Sequence, residues 1–463
     1  MIVLKFGGTS VGSADSIRRV AEIIGQSQGR SPFVVVSAMS GVTDLLLASA
    51  RRAMDRNAST KQIIAGIEAR HLEVINQLGL DPGLLSPEIV ELEHVLFGIS
   101  LIKELTARTL DYVASFGERM SSKIVAAYAR KSGLKAQAYN AYDLGMVTDE
   151  NFGEAEILPI TYSAIASAVK EIPAGTIPLV TGFIGKTEAG EVTTLGRGGS
   201  DYSASIFGAA LNAEEIQVWT DVDGIMTADP RIVPSATPVD IVSFEEASEL
   251  AYFGVKVLHP KTIVPAMNKM LPVRVLNTFN PSFKGTLILK NASKKQDVTA
   301  ITSKGDIYVI NINSARMLLA YGFLKHVFNL FAEFKVPVDL VATSEVNVSV
   351  TVEQKFDILK LVERLKEFAN VDVLSDRASI SVVGIGIRST PGIGGKIFTT
   401  LGKRGINIEM TSQSYADVNE SIVVAANKLE EAVRALHDEF FGAPVKAPAA
   451  AGVNSKLKLR GEA

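Results

Sequence analysis

An α/β fold, with a mostly parallel central sheet, helices on both faces and two small α+β units behind it, is predicted from three observations. Residues 1–230 alternate short apolar, β-branched runs with longer stretches of helical periodicity. Glycine-rich loops stand where several of those runs end, and the last third of the chain repeats itself at a fixed offset.

In chain order, the runs 2–6, 33–37, 135–139, 177–181 and 216–220 each read as a buried strand followed by a loop. Between them, apolar spacings of three and four predict helices over 14–24, 62–78 and 119–131. Ser86-Pro-Glu88 reads as a helix start, with a capping hydroxyl, proline at the first helical position and an early acid. In sheets of this kind ligands sit beyond the carboxyl ends of the strands. The polar run Asn291-Ala-Ser-Lys-Lys-Gln296 reads as a linker, setting off a first unit over 1–290.

Past the linker, Phe323-Leu-Lys-His-Val-Phe328 is echoed by Ile393-Gly-Gly-Lys-Ile-Phe398, and Lys335-Val-Pro-Val-Asp-Leu340 by Gly405-Ile-Asn-Ile-Glu-Met410, both 70 residues apart. Each copy reads as a strand, a glycine turn, a helix and two alternating strands such as 347–352, which suits a four-stranded sheet with helices on one side. The copies are expected over 297–375 and 376–441, and one alone is small enough to want a partner. The stretch 442–463, rich in Ala, Pro, Gly and Lys, reads as a disordered tail.

Composition narrows the function classes. At 47% hydrophobic and 21% charged, the 463 residues suffice for ordinary globular cores. With 47 basic and 50 acidic residues, the net charge of −3 gives no basic surface for a nucleic-acid partner. The absence of cysteine removes disulfides, thiolate metal sites and cysteine nucleophiles, and fits a reducing compartment. The apolar N-terminus is too short for a signal peptide and is broken by Lys5, and no window approaches the roughly 18 apolar residues of a spanning helix. A cytoplasmic protein with no membrane partner is expected.

Four motifs carry chemistry. In Lys5-Phe-Gly-Gly-Thr-Ser10 the glycines let backbone N–H groups approach a polyphosphate, and Lys5 at the strand end can neutralise a transferred phosphoryl group. Leu195-Gly-Arg-Gly-Gly-Ser-Asp201 combines an arginine fork for a carboxylate, N–H donors for developing negative charge and an acid that can hold a lysine. Trp219-Thr-Asp-Val-Asp-Gly-Ile-Met-Thr-Ala-Asp-Pro-Arg231, a strand ending in an acid-rich loop, suits a nucleotide or a Mg²⁺–water site, or else an Asx-turn loop. Phe253-Gly-Val-Lys-Val-Leu-His-Pro260 offers Lys256 as another cation, or a helix end at proline. The P-loop is absent, because Gly185-Lys-Thr187 has Val180 in place of the first glycine and Gly395-Lys396 is followed by Ile397. None of the five histidines has metal-ligand spacing, so no metal site within the chain is expected.

In this order and at these separations the four motifs resemble aspartokinases of the amino-acid kinase superfamily, over about residues 1–440. The resemblance implies an amino-acid kinase fold followed by two ferredoxin-like ACT domains, one inserted into the other, so that the strand-like 298–302 completes the second. It implies transfer of the γ-phosphoryl group of ATP, with Mg²⁺, to the side-chain carboxylate of L-aspartate. It makes Lys5 and Asp201 the catalytic pair. Ser37, Thr43, Glu118, Phe183, Arg197 and Ser200 become the aspartate pocket. Lys5, Gly7, Gly8, Thr220, Asp221, Met226, Arg231 and Lys256 become the ATP side, with Met226 standing where the family often has tyrosine. The stretch 317–350 resembles the inhibitor-binding module of the lysine-sensitive type. Its implied effector residues are Met317, Phe323, Leu324, Val338, Asp339, Thr343 and Glu345, with Ala320 where a serine is usual. Lysine is the favoured effector and threonine the alternative, bound at a homodimer or dimer-of-dimers interface.

The chemistry agrees independently. An aspartate side chain with a pKa near 3.9 is ionised at pH 7 and needs no general base to attack. The difficulty is bringing an anion to a polyanion, which calls for cations, N–H donors and metal with the reactants in line. A related kinase of glutamate, acetylglutamate or a nucleoside monophosphate, and a non-catalytic amino-acid sensor, are the alternatives. A fused dehydrogenase is not expected, because no dinucleotide-binding pattern follows residue 442.

Overall fold

The run Ile2–Phe6, buried at all five positions, lies inside an eight-stranded sheet. The computed structural model describes residues 1–55, 59–253, 260–290, 292, 297–317, 321–414 and 418–442. Across the sheet the strands run Ala136–Tyr139, Ile177–Thr181, Pro32–Val36, Ile2–Phe6, Glu215–Thr220, Val273–Asn277, Thr286–Leu289 and Ile241–Ser243. All neighbours are parallel except Val273–Asn277 with Thr286–Leu289. Unbroken apolar runs favour this arrangement, because both faces of a parallel sheet are covered.

The pleat divides the side chains between two cores. Leu4, Phe6, Val34 and Val36 face one, with Val20 and Ile24 of the helix Ala14–Gln26 and with Phe116 and Met120 of the helix Ala107–Lys131. Val3, Phe33 and Val35 face the other, against Phe207 of the helix Gly199–Leu211 and Leu250 of the helix Phe244–Tyr252. A helix expected over 119–131 thus begins twelve residues earlier, at Ala107. Its first half escaped the periodic reading because Asp111, Ser115 and Glu118 are polar yet buried. Ser86 is also reassigned. A 3₁₀ turn, Pro82–Leu85, runs directly into the helix Ser86–Ile102, so Ser86 is the first helical residue and makes no cap hydrogen bond. A small sheet of Val147–Thr148, Ile184–Thr187 and Val192–Thr194 was not foreseen.

The repeat forms one six-stranded sheet in the order Val341–Thr343, Asn347–Glu353, Ala300–Asn313, Asn370–Val383, Asn419–Ala425 and Met410–Ser412. Its two central strands are 14 residues each and serve both copies. Ile307–Asn313 pairs with the Asn347–Glu353 strand, while Ala300–Lys304 pairs with Ser379–Val383, so the segment expected over 298–302 feeds the second copy. The change-over falls at Asp306 (φ 51°) and Asp376 (φ 54°), left-handed residues 70 apart that kink each strand. The expected 375/376 division therefore lies within a continuous strand.

This sheet is docked on the N-terminal unit by specific bonds. The buried Glu246 accepts from Thr299 Oγ1 at 2.6 Å and from the Ile385 N–H at 2.9 Å. The Ile301 N–H donates to the Thr227 carbonyl at 2.8 Å, and His437 Nε2 lies 3.0 Å from Thr227 Oγ1. Among the described residues no helix is long and apolar enough to cross a membrane. The linker residues 291 and 293–296, and 443–463 of the tail, lie outside the described residues.

Candidate active site

Lys5 comes from the middle of the sheet and Asp201 from the first turn of the helix Gly199–Leu211, and their side chains meet. Lys5 Nζ stands 2.6 Å from Asp201 Oδ1, with side-chain exposures of 9% and 14%. The contact is an ion pair without the geometry of a directed hydrogen bond. At this distance and burial the Coulombic term still ties the two together. The helix can begin there because Gly198, at φ 71°, occupies the left-handed conformation its N-cap requires.

The pair borders a cleft of about 690 Å³ at the carboxyl ends of the strands. Of the residues expected at the aspartate pocket, Ser37, Thr43, Glu118, Phe183, Arg197 and Ser200 all line it, with Lys5, Asp201 and Gly8. Phe183 holds φ 67°, unusual for an aromatic residue. Both of its main-chain groups are tied down, since its N–H donates to Ser203 Oγ at 3.0 Å and its carbonyl accepts from the Leu195 N–H at 2.8 Å. Arg197 is exposed in the glycine loop, and its guanidinium is unpaired among the described residues.

Glu118 is the unusual acid of this cleft. It is buried, Oε1 accepts the Ala38 N–H at 3.0 Å, and Oε2 has no partner among the described residues. The helix comes that close because Gly117 has no Cβ, which would lie 2.7 Å from the Ala38 methyl. Burial pushes the Glu118 carboxyl from 4.5 up to about 8, with the Ala38 N–H pulling weakly the other way. Between those values the folded chain binds the extra proton, so this group's contribution to stability falls as pH rises from 4.5 through about 8. Glu118→Gln is therefore expected to gain in melting temperature relative to the wild type across that window. A difference independent of pH from 5 to 9 would remove the assignment.

Of the described nucleotide-side residues, Lys5 and Gly8 line this cleft and the others do not. Gly7 donates its N–H to the Trp219 carbonyl at 3.1 Å, which leaves that donor unavailable for phosphate. Thr220 ends its strand and donates to the exposed Asp221 at 3.2 Å. Met226 bridges to Pro238. Arg231 is gripped by Asp229, with Nη2 2.6 Å from Oδ2. Lys256 lies outside the described residues, as does Ala320. Among the described residues no group of three or more His, Asp or Glu side chains stands ready to hold a metal ion.

In the C-terminal sheet, Met317, Phe323 and Val338 pack against the first copy's core. Leu324, Thr343 and Glu345 are exposed. Asp339 is already engaged, accepting from Tyr252 OH at 2.9 Å and lying 3.3 Å from Lys304 Nζ, so among the described residues Glu345 is the unpaired carboxylate of the two.

Several cleft residues escaped sequence reasoning. Leu47 and Arg51 extend Thr43 along the helix Val42–Ala53, and Leu110, Asp111 and Ala114 extend Glu118 back along its own. The signal was spacing by four, which becomes legible once one residue of each helix is known to face the cleft.

The first 277 residues match the model of the amino acid kinase family, and residues 380–440 match an ACT domain. The chain belongs to the amino acid kinase family. Its place there is among the aspartokinases. It is 41% identical to the chloroplastic aspartokinase 1 of Arabidopsis thaliana, over 95% of this chain and 80% of that protein. It is 32% identical to the lysine-sensitive aspartokinase 3 of Escherichia coli, over 95% and 99%. The structure superimposes on E. coli aspartokinase III in complex with aspartate and ADP, its R-state, with a TM-score of 0.80 at 31% identity, covering 95% of this chain and all of that one. Against the same enzyme in complex with lysine and aspartate, its T-state, the TM-score is 0.78 at 31% identity, covering 95% and 99%.

Proposed function

We propose that this chain is an aspartate kinase, transferring the γ-phosphoryl group of ATP to the β-carboxylate of L-aspartate. The observation that carries the reading is the Lys5–Asp201 pair opening on a cleft that also holds Arg197 and Glu118. A β-carboxylate oxygen attacks the γ-phosphorus, the bond to the β,γ-bridging oxygen breaks, and ADP leaves with that electron pair. The products are ADP and the acyl phosphate 4-phospho-L-aspartate. The nucleophile is ionised at pH 7, so catalysis rests on positioning and charge.

Lys5 offsets charge on the transferred group, and Asp201 holds its ammonium in place. Arg197 grips the α-carboxylate, and Glu118, once ionised, receives the α-ammonium. Ser37, Thr43 and Ser200 offer donors, and Phe183 forms a wall. Gly8, Thr220, Asp221, Met226, Arg231 and Lys256 are assigned to the nucleotide, with Arg231 leaving Asp229 when phosphate arrives. Mg²⁺ is expected to enter on the nucleotide, since Asp201 is paired with Lys5 and Asp223 accepts from Asn277 and Asn280. Bound there, it would neutralise phosphate charge. The absence of cysteine supports a cytosolic, reducing setting.

Hydroxylamine trapping of acyl phosphate, with ATP and a panel of amino acids and nucleoside monophosphates, tests this reading. Signal with aspartate alone is expected, and turnover of another acceptor in its place would overturn it.

We further assign end-product inhibition to the stretch 317–350, with lysine as effector. The support is the lysine-sensitive relative together with Tyr321 and Leu324, 105% and 39% exposed, an apolar pair suited to burial against a second copy. Lysine titrated into initial rates is expected to inhibit, with threonine alongside inhibiting less. No response to lysine at about millimolar levels would remove the effector assignment while leaving the kinase intact.

A further inference from the structure

The active-site cleft is also lined by Asp111, an acid whose oxygens are all committed to the chain itself. It is 3% exposed. Oδ2 accepts the Gly153 N–H at 2.9 Å and the Thr194 N–H at 2.8 Å, while Oδ1 accepts the Thr194 hydroxyl at 2.8 Å. Three donors therefore converge on two oxygens, an arrangement that suits a carboxylate. An asparagine would keep one oxygen for the two N–H groups and turn its N–H₂ group toward Thr194 Oγ1, which would have to reverse its hydroxyl and lose the charge-assisted bond.

What these bonds join gives Asp111 its meaning. Thr194 ends the strand Val192–Thr194, and Arg197 follows three residues later in the glycine loop. Gly153 belongs to the loop on which that glycine loop rests, because a Cβ added at Gly196 would lie 3.3 Å from the Gly153 carbonyl. The Ala155 N–H closes the same junction by donating to the Thr194 carbonyl at 2.9 Å. Asp111 itself sits two helical turns before Glu118, on the same cleft-lining face. It is the joint between the helix that carries Glu118 and the root of the loop that carries Arg197.

We propose that Asp111 is a positioning residue for aspartate. It touches no substrate, and it sets the separation of Arg197 from Glu118, hence the fit of an α-amino acid between them. The proposal rests on reading Arg197 as the cation that grips the substrate carboxylate.

The test is steady-state kinetics of the full chain carrying Asp111→Asn, Arg197→Ala and both. Asp111→Asn is expected to raise KM for aspartate by about tenfold and to leave KM for ATP within about twofold. A merely structural lesion would disturb both substrates. On the Arg197→Ala background, Asp111→Asn is expected to add less than about threefold, because a joint that acts through Arg197 has little left to position. Should Asp111→Asn fold poorly, Thr194→Val removes one donor and keeps both backbone bonds. It is expected to raise KM for aspartate about threefold with KM for ATP unchanged. An unchanged aspartate KM in Asp111→Asn and Thr194→Val, or a fully multiplicative double variant, overturns the proposal. If Arg197→Ala alone leaves the aspartate KM unchanged, the Arg197 reading fails by itself, and a raised KM in Asp111→Asn would then show that Asp111 acts by another route.

Discussion

Lys5→Ala is expected to lower kcat by about a thousandfold or more, with KM for aspartate changed far less. The ammonium matters most when charge spreads over the transferred phosphoryl group, and less when the substrates are merely bound. Lys5 Nζ and Asp201 Oδ1, 2.6 Å apart, border the cleft with most of their surface covered, where a fixed charge is screened less than in bulk water. Asp201→Ala removes the group that holds the ammonium and is expected to cost about a hundredfold.

Removing Lys5 strands an acid, and doing so at a fully buried site costs about 3–5 kcal/mol. Asp201 keeps 14% of its side-chain surface and opens on the cleft, so water can solvate it and the fold is expected to survive. Acyl-phosphate trapping beside a thermal melt separates the two effects. A folded Lys5→Ala enzyme with near-normal kcat would remove Lys5 from the chemistry.

Arg197→Ala is expected to lower kcat/KM for aspartate by about a hundred- to a thousandfold, mostly through KM. A bidentate, charge-assisted grip on a carboxylate is among the stronger contacts a protein makes. Arg197 is free for it, exposed in the glycine loop with no partner among the described residues. Arg197→Lys is expected to recover only part of the loss, because a point charge cannot grip both oxygens at once. A variant with KM for aspartate unchanged would sink the assignment.

Much of this site was legible in the chain. Lys5, Gly8, Arg197, Ser200 and Asp201 sit in glycine-rich strings at strand ends, and all five reach one cleft. The 70-residue repeat also holds in detail. Gly322 at φ 87° and Gly392 at φ 89° start equivalent helices, and Lys335 at φ 53° and Gly405 at φ 66° end them. Asp111 was not legible, because a polar residue in a helix reads as solvent-facing unless its partners are known. Thr194 lies 83 positions away from it. The sharing of two long strands between the repeats was hidden for the same reason, since strand pairing joins segments remote in sequence.

The sequence by itself determined the strand–turn–helix order, the glycine loops and the duplicated C-terminal unit. These follow from backbone sterics, side-chain periodicity and turn chemistry, which act between neighbours along the chain. Only the tertiary structure decided which polar groups are free to act. Gly7 gives its N–H to Trp219, Arg231 is held by Asp229, Asp339 by Lys304 and Tyr252, and Glu118 is buried until its carboxyl keeps a proton near neutrality. Ionisation and hydrogen-bond capacity depend on solvent exclusion and on atoms brought from distant parts of the chain, so neither exists until the fold assembles them.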